Sequence, residues 1–316
     1  MYQHLLYTNQ TTELTPAQIR TGWLNHIKKE EENFLWVSNQ QAFDLMQKGM
    51  EPPHTSLPTN NPHYNMIDAQ LSTEIFGLYS PGRPDVGIQL GKLAVQTTAR
   101  QEAEEIANFY IAMHSLAYLK TNLSMKQRTL WMAEEAQKTL NPEQFPKKMF
   151  DYTQKLWKSG ISWEQARDSI YYRYQAQQKD GYKVSSQRLY CNGCFAAGIN
   201  FAASLVSLFY GEGDLKQTIK IGTLMGWDAD NPTATWGGLL GFMMGKEAIE
   251  KVFKTKLSNK FHIHRTRQNF ISGGIDTFEN MARKGVAVAA QVIQEKLGGW
   301  QNSETNIWQI PAQKTN

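Results

Sequence analysis

The chain has 316 residues, 41% of them hydrophobic and 20% charged, a composition that excludes a disordered chain and allows one large domain or two ordinary ones. Its formal net charge is only +4 and no block of Lys and Arg concentrates it, so nothing indicates binding to nucleic acid or to an anionic membrane. Two cysteines exclude a disulfide-rich scaffold and fit a reducing compartment, which predicts a cytoplasmic protein.

Helix start signals recur along the chain. Thr15 precedes a proline, and a glutamine follows at the third helical position, which is the pattern of a capping box; Ser162 repeats that pattern. Asn141 before Pro142 predicts another helix start, and Asp214 can cap the helix that follows it. Alternating runs bounded by hairpin turns are absent from the sequence. The pattern therefore predicts an all-α fold.

Between these signals the composition changes several times. Residues 102–120 have apolar side chains at three- and four-residue steps and an acidic first turn, which predicts an amphipathic helix. Proline-rich residues 51–62 are expected to form a surface connection, and residues 80–84 a turn between helices. Residues 122–183 are polar and predict exposed helices. Residues 301–316 are expected to form a flexible tail.

A long uncharged segment raises the question of a membrane span. Residues 189–211 contain no charged side chain and are long enough to cross a bilayer. The segment contains Asn192, Asn200, Ser204 and Ser207, however, and no basic cluster flanks it. We therefore expect a helix that is buried on all sides in a helical protein rather than a membrane helix.

The most informative motif for chemistry is the segment 226–235, GWDADNPTAT. Pro232 suits the first turn of a helix and Asn231 suits its N-cap, which places Asp228 and Asp230 just outside the helix N-terminus. Two carboxylates beside amide and hydroxyl oxygens fit a hard cation, either Mg²⁺ or Mn²⁺. The alternative is that the two acids only complement the positive end of the helix, and spacing by itself favours this structural role.

Other candidate motifs carry less information. Cys191 and Cys194 form a CxxC without a second ligand pair for zinc and without a βαβ context for redox chemistry, so we predict two reduced thiols at the start of a buried helix. Gln70 and Glu74 share one helix face, which either lines a cleft or faces solvent. Nucleophile-elbow, P-loop and dinucleotide motifs do not occur in the sequence.

The segment 226–231 and the small-residue helix after it resemble the C-terminal metal motif of the ADP-ribosylglycohydrolases. Several further segments match that family in the expected order: 20–26 (RTGWLNH), 49–53 (GMEPP), 67–77 (IDAQLSTEIFG), 80–84 (SPGRP) and 209–214 (FYGEGD). The resemblance implies one large all-α domain over residues 1–300. It also implies metal-assisted hydrolysis of an ADP-ribosyl N- or O-glycosidic bond in a small molecule or a protein.

The resemblance also implies roles for individual residues. Asp228 and Asp230 are expected to be catalytic metal ligands, and Asn231 a further ligand, for one or two Mg²⁺ or Mn²⁺ ions. The residues expected to bind substrate are Gln70, Glu74 and Asn108.

The chain departs from the family at one half of the metal site. The family's Thr-Asp-Asp motif near the N-terminus does not occur in this chain, so we expect that the segment carrying it is missing and that a second ion lacks ligands. Residues 93–100 (LAVQTTAR) also replace a family motif. Three hypotheses follow: a truncated or divergent hydrolase, an inactive relative that binds an ADP-ribose-like ligand or a protein partner, and a helical protein with only a structural likeness.

Overall fold

The computed structural model describes residues 1–30, 32–185, 191–270 and 273–312, which fold mainly as α-helices and confirm the all-α class. The first helices are α1 (Tyr2–Thr8), α2 (Pro16–His26), α3 (Val37–Gln47), α4 (Gln70–Thr73) and α5 (Ile75–Leu78). Next come α6 (Pro84–Val95), α7 (Glu102–Leu116), α8 (Met125–Ala136), α9 (Phe145–Lys158) and α10 (Trp163–Ile170). The last are α11 (Ala197–Gly211), α12 (Leu215–Leu224), α13 (Asp230–Met244), α14 (Lys246–Phe253) and α15 (Phe278–Glu295).

Shorter elements connect these helices. Single 3₁₀ turns cover His54–Ser56, Ile67–Ala69 and Gln137–Thr139, and a π-helical turn, Tyr171–Ala176, continues α10. Two antiparallel strand pairs lie near the C-terminus: β1 (Lys260–His262) with β2 (Ile275–Thr277), and β3 (Trp300–Gln301) with β4 (Trp308–Gln309). Residues 301–312 thus include a paired strand, in contrast to the flexible tail expected from residue 301. Trp308 and Ile310 pack against the core, and this apolar contact favours an ordered conformation.

Most of the local start signals act as the sequence predicts. Thr15 and Ser162 both form complete capping boxes, and the Asp214 side chain accepts a hydrogen bond from the helix that it caps. The amphipathic helix predicted over residues 102–120 is α7. The start predicted at Asn141 is wrong, because its side chain closes a local turn and α9 begins four residues later.

Helix α11 lies at the centre of the core and confirms the buried helix predicted within residues 189–211, of which 189 and 190 fall outside the described residues. It packs against α7, α9, α12 and α13. The Ser204 hydroxyl lies 2.5 Å from the Tyr110 hydroxyl, and the Ser204 carbonyl accepts a 2.8 Å hydrogen bond from the Trp236 indole. These bonds join α7 and α13 to α11. No helix within the described ranges is long and apolar enough to span a membrane.

The central part of the proline-rich connection is buried, so the surface location predicted for residues 51–62 is wrong there, although His54, Pro58 and Thr59 are exposed. Thr55 and Ser56 are fully buried. The Thr55 hydroxyl donates to the Thr97 carbonyl at 2.8 Å, and the Ser56 hydroxyl donates to the Gln96 carbonyl at 2.6 Å. Because these carbonyls follow the end of α6, the two hydroxyls supply partners that water would otherwise supply. The turn predicted at residues 80–84 does connect α5 and α6.

Close contact between α5 and α7 depends on Gly77. A Cβ atom at this position would lie 2.1 Å from the Ile111 carbonyl oxygen and 2.8 Å from the His114 Cβ. The Ile111 oxygen belongs to the backbone of α7 and cannot rotate away, as the end of a flexible side chain could. The absence of a side chain at Gly77 therefore sets the spacing of these helices.

We expect Gly77→Ala to lower the free energy of unfolding by about 2 kcal/mol or more, because a buried helix pair must separate to accommodate the methyl group. Gly238 in α13 is the matched control, since a Cβ there meets no atom within 4 Å. Gly238→Ala should raise the free energy of unfolding by about 0.5 kcal/mol or more, because alanine is the better helix former. Urea denaturation followed by circular dichroism measures both, and equal effects would contradict the close approach.

Candidate functional site

The two acidic residues singled out from the sequence lie at the start of α13. The N-cap of this helix is Ala229, two residues earlier than the N-cap predicted at Asn231, so that Asp230 is its first residue and Asn231 its second. The prediction of the N-cap is therefore wrong. The reason is local, because the Asn231 N–H donates to the Asp228 carbonyl at 3.0 Å and begins the helical turn earlier. Pro232 still lies in the first turn, where its missing N–H leaves no bond unmade.

A hydrogen bond from α11 helps to position Asp228. Its backbone N–H donates to the Asn200 side-chain oxygen at 3.2 Å. The Asp228 side chain is half-buried, whereas Asp230 is exposed. Burial raises the pKa of Asp228 to about 7, and a hydrogen bond with Asp230 and repulsion from Asp230 and Asp68 act in the same direction. Two neighbouring negative charges are therefore unfavourable here, and Asp228 retains its proton to a higher pH than an isolated carboxyl does.

Asp68 is a third carboxyl near this pair, and the sequence did not single it out. It lies in the 3₁₀ turn before α4, is 4% exposed, and accepts a 3.2 Å hydrogen bond from the Asn39 backbone N–H. Burial raises its pKa to about 7, although hydrogen bonds from backbone N–H groups oppose the shift. In the sequence, Asp68 is a single acid in the apolar run Met-Ile-Asp-Ala. A single acid of this kind does not by itself indicate a buried carboxyl.

The side chains of Gln70 and Glu74 both contact α13. The helix face that they share therefore packs against the protein and is not a solvated face. The Gln70 side-chain amide donates to the Asn231 side-chain oxygen at 3.3 Å. The Thr235 hydroxyl donates to the Glu74 carboxylate at 2.6 Å. The second Glu74 oxygen lies 3.7 Å from Nε2 of His114 on α7. Burial raises the pKa of Glu74, while His114 and Thr235 lower it.

The orientation of His114 follows from its other nitrogen. Nδ1 lies 2.8 Å from the Tyr110 carbonyl, one turn earlier in α7. Since a carbonyl oxygen can only accept, Nδ1 carries the hydrogen and Nε2 faces Glu74. His114 is 4% exposed, so the imidazole ring supports the carboxylate from inside the core.

Asn108, the third residue expected to bind substrate, lies elsewhere on α7. It precedes Tyr110 by two residues, which places it about 200° away around the helix. His114 is the α7 residue that contacts Glu74, and Asn108 lies about 120° from His114 around the helix, on a different face. Of the hydrogen bonds and ion pairs found among the described residues, none joins Asn108 to Asp228, Asp230 or Glu74.

A cavity of about 580 Å³ lies next to these residues. Asn39 and Glu74 form part of its wall, together with the aromatic rings of Trp23, His26 and Phe270. The rings of His26 and Phe270 stack with centroids 4.5 Å apart. Glu74 therefore connects the group at the start of α13 with a cavity that has apolar and aromatic walls, the usual form of a small-molecule site.

The CxxC motif differs from its prediction. Cys191 and Cys194 are joined by a disulfide, so the prediction of two reduced thiols is wrong. The pair lies in the turn that precedes Ala197, directly before the buried helix α11. Local backbone geometry brings the two sulfur atoms together, and residue spacing by itself does not distinguish a disulfide from two thiols.

The residues at the start of α13 are suited to a hard cation, although the acids alone do not form a complete set. Within the described ranges, no three His, Cys, Asp or Glu side chains could hold a metal ion together. Buried amide atoms of Gln70 and Asn231 lack partners, however, and one of them is the Gln70 side-chain oxygen. In either orientation of these two amides, one oxygen remains without a donor. Carboxylates, an amide oxygen and water are ligands that Mg²⁺ takes.

The family model described as ADP-ribosylglycohydrolase matches residues 3–291. The chain belongs to the ADP-ribosylglycohydrolase family. This match confirms the resemblance seen in the sequence and covers each of the site residues described above. Members of this family act on ADP-ribosylated substrates. No curated protein and no solved structure matches the chain.

The raised pKa of Asp68 predicts that stability falls as the pH rises. The folded protein retains this proton up to about pH 7, whereas the unfolded chain releases it near 3.8. Between these values the folded state binds more protons, so the free energy of unfolding decreases by on the order of 1 kcal/mol per pH unit. Urea denaturation at a series of pH values between about 5 and 8, with a chelator present, measures this slope.

The variant Asp68→Asn should show a smaller slope, because the amide still accepts from Asn39 but does not ionise. Asp228 will retain part of the pH dependence, since its pKa is also raised. Asp85→Asn is the control, because Arg83 lowers the pKa of this surface carboxyl and burial does not raise it overall. A slope unchanged in Asp68→Asn would contradict the assignment.

Proposed function

We propose that this chain is a Mg²⁺- or Mn²⁺-dependent hydrolase of an ADP-ribosyl N- or O-glycosidic bond in a small molecule or a protein. The observation that carries the proposal is the Asp228–Asp230 pair at the start of α13, followed by Asn231 and its bonded neighbour Gln70, whose buried side-chain oxygen has no partner, in a member of the ADP-ribosylglycohydrolase family. A cytoplasmic location is part of the proposal, because two cysteines in 316 residues are too few for the disulfide-rich scaffolds of small secreted proteins.

Asp228, Asp230 and the amide oxygen of Asn231 or Gln70 would hold the cation, with water completing its ligands. Bound there, the cation would orient the ribose hydroxyls and promote ionisation of a water molecule. The repulsion that raises the pKa of Asp228 supports this assignment, because a cation relieves it. The proposal is limited to one ion, because the sequence lacks the Thr-Asp-Asp motif that would supply ligands for a second.

The remaining residues position groups around the reacting bond. Asn200 holds the backbone of Asp228, and Gln70 holds the side chain of Asn231. Thr235 occupies one oxygen of Glu74. Its second oxygen lies beside His114, and because Glu74 lines the cavity its carboxyl would meet a ribose hydroxyl there; the raised pKa of Glu74 suits a group that accepts a proton. The cavity walls would exclude water from the bound substrate.

A second function, binding of an ADP-ribose-like ligand or a protein partner without hydrolysis, also has support. The family's Thr-Asp-Asp motif does not occur in the chain, and no group of three metal-binding acids, histidines or cysteines is present within the described ranges. A weakly held ion would permit binding and slow or prevent hydrolysis. Calorimetry and a hydrolysis assay on the same preparation distinguish these two functions.

We expect Asp228→Asn and Asp230→Asn to weaken Mg²⁺ binding at least about tenfold. Mutation of residues that only hydrogen-bond to metal ligands already causes a loss of about this size. Hydrolysis of ADP-ribosyl-arginine, followed by chromatography, should fall with it. Asp214→Asn is the matched control, because Asp214 also lies at a helix N-terminus and Asn caps equally well. This control separates a metal ligand from an acid that only complements the helix.

Each outcome decides between the hypotheses. Turnover that depends on Mg²⁺ and is lost in both variants supports the hydrolase. Binding of ADP-ribose without turnover supports the second function. If the protein binds neither Mg²⁺ nor ADP-ribose, both proposed functions are contradicted. If Asp214→Asn weakens Mg²⁺ binding as much as the other two variants do, Asp228 and Asp230 only complement the helix N-terminus.

A further inference from the structure

The turn over residues 191–197 contacts the segment that carries Asp68. The Ile67 N–H donates to the Phe195 carbonyl at 3.1 Å, and the Ala197 N–H donates to the Asn65 carbonyl at 3.1 Å. Met66 and Ala196 pair between these bonds as an isolated antiparallel bridge. Because Asp68 directly follows Ile67, the position of the turn determines where this carboxyl lies.

The same turn is connected to Asp228 through one side chain. Asn200, on α11, is 1% exposed. Its side-chain nitrogen donates to the Cys194 carbonyl at 2.6 Å and to the Ala196 carbonyl at 2.9 Å. Its side-chain oxygen accepts from the Asp228 N–H at 3.2 Å. A shift of the Cys194 carbonyl therefore changes the hydrogen bonds that hold Asp228.

The Cys191–Cys194 disulfide closes this turn. Gly193 lies between the two cysteines with φ of 77°, a backbone conformation that favours glycine. The Asn192 carbonyl accepts a hydrogen bond from Gln175, which fixes the other side of the turn. Both cysteines are half-buried, so a thiol reagent can reach the bond from solvent.

We propose that Cys191 and Cys194 form a thiol–disulfide modification site that sets the positions of Asp68 and Asp228. The oxidised form holds the turn, and the reduced form releases it. A loop of sequence separation 3 restricts the unfolded chain only slightly, so the effect of the bond is on local geometry rather than on global stability. Its consequence for catalysis rests on the proposed function, whereas its effect on the turn does not.

The redox step uses a dithiol reductant, either a protein dithiol or a small molecule. One thiolate of the reductant attacks Sγ of Cys194, a new S–S bond forms, and the electron pair of the old bond passes to Sγ of Cys191. The Cys194 N–H lies 3.1 Å from that sulfur and stabilises it as a thiolate. The second thiol of the reductant then attacks the reductant's sulfur atom in the mixed disulfide and releases Cys194 as a thiol. Two electrons and two protons pass from the reductant to the pair, and the reductant becomes a disulfide.

Hydrogen–deuterium exchange of the full chain, oxidised with glutathione disulfide or reduced with dithiothreitol, tests the proposal. Peptides that cover residues 66–70 and 226–231 should exchange about fivefold faster after reduction, the ratio expected when one net hydrogen bond is lost. Peptides from α15 should exchange equally in both forms. Equal exchange at all three places, or a pair that stays reduced in excess glutathione disulfide, would overturn the proposal.

The double variant Cys191→Ser/Cys194→Ser provides the matched comparison. It should exchange like the reduced protein and should not respond to dithiothreitol, because serine cannot form the bond; a response would assign the effect to another group. Mg²⁺ titration of the oxidised and reduced wild type then tests the link to catalysis, with weaker binding expected after reduction. If exchange differs but neither form binds Mg²⁺, the proposed function fails and the modification site stands.

Discussion

Burial of the uncharged helix α11 is the constraint on which the site depends. A polar side chain that is removed from water must find a partner inside the protein. Ser204 meets this requirement through Tyr110, and its carbonyl through Trp236, which joins α7 and α13 to the central helix. Asn200 meets it through the disulfide turn and through the backbone of Asp228. The bonds that allow α11 to be buried are therefore also the bonds that place the start of α13.

The electrostatics of the site follow from this placement. Asp228 and Asp230 are neighbours at the start of α13, Asp68 acts on Asp228 from the turn before α4, and partial burial of Asp228 weakens the screening of this repulsion by water. The positive end of α13 offsets part of this repulsion, since Asp230 is its first residue. A proton or a cation can offset the remainder. The same arrangement explains both the raised pKa values and the suitability of the group for a hard ion.

The features predicted correctly are those that depend on neighbouring residues in the chain. The capping boxes at Thr15 and Ser162 form because donor and acceptor lie within one helical turn. The N-cap of α13 was predicted two residues too late, and the N-cap of α9 three residues too early, because a local turn can compete with a cap. The buried connection at Thr55 could not be predicted, since its partner Thr97 is 42 residues away.

The sequence by itself determined the all-α class, the buried central helix and the family. Helical periodicity and motif order are properties of short segments, so they can be read without a structure. Only the tertiary structure decided that Asp68 is buried and influences Asp228, that Gln70 and Glu74 bond to α13 and that Cys191 and Cys194 are paired. These relations join segments distant in the chain or depend on side-chain direction, and burial in one common core brings them about.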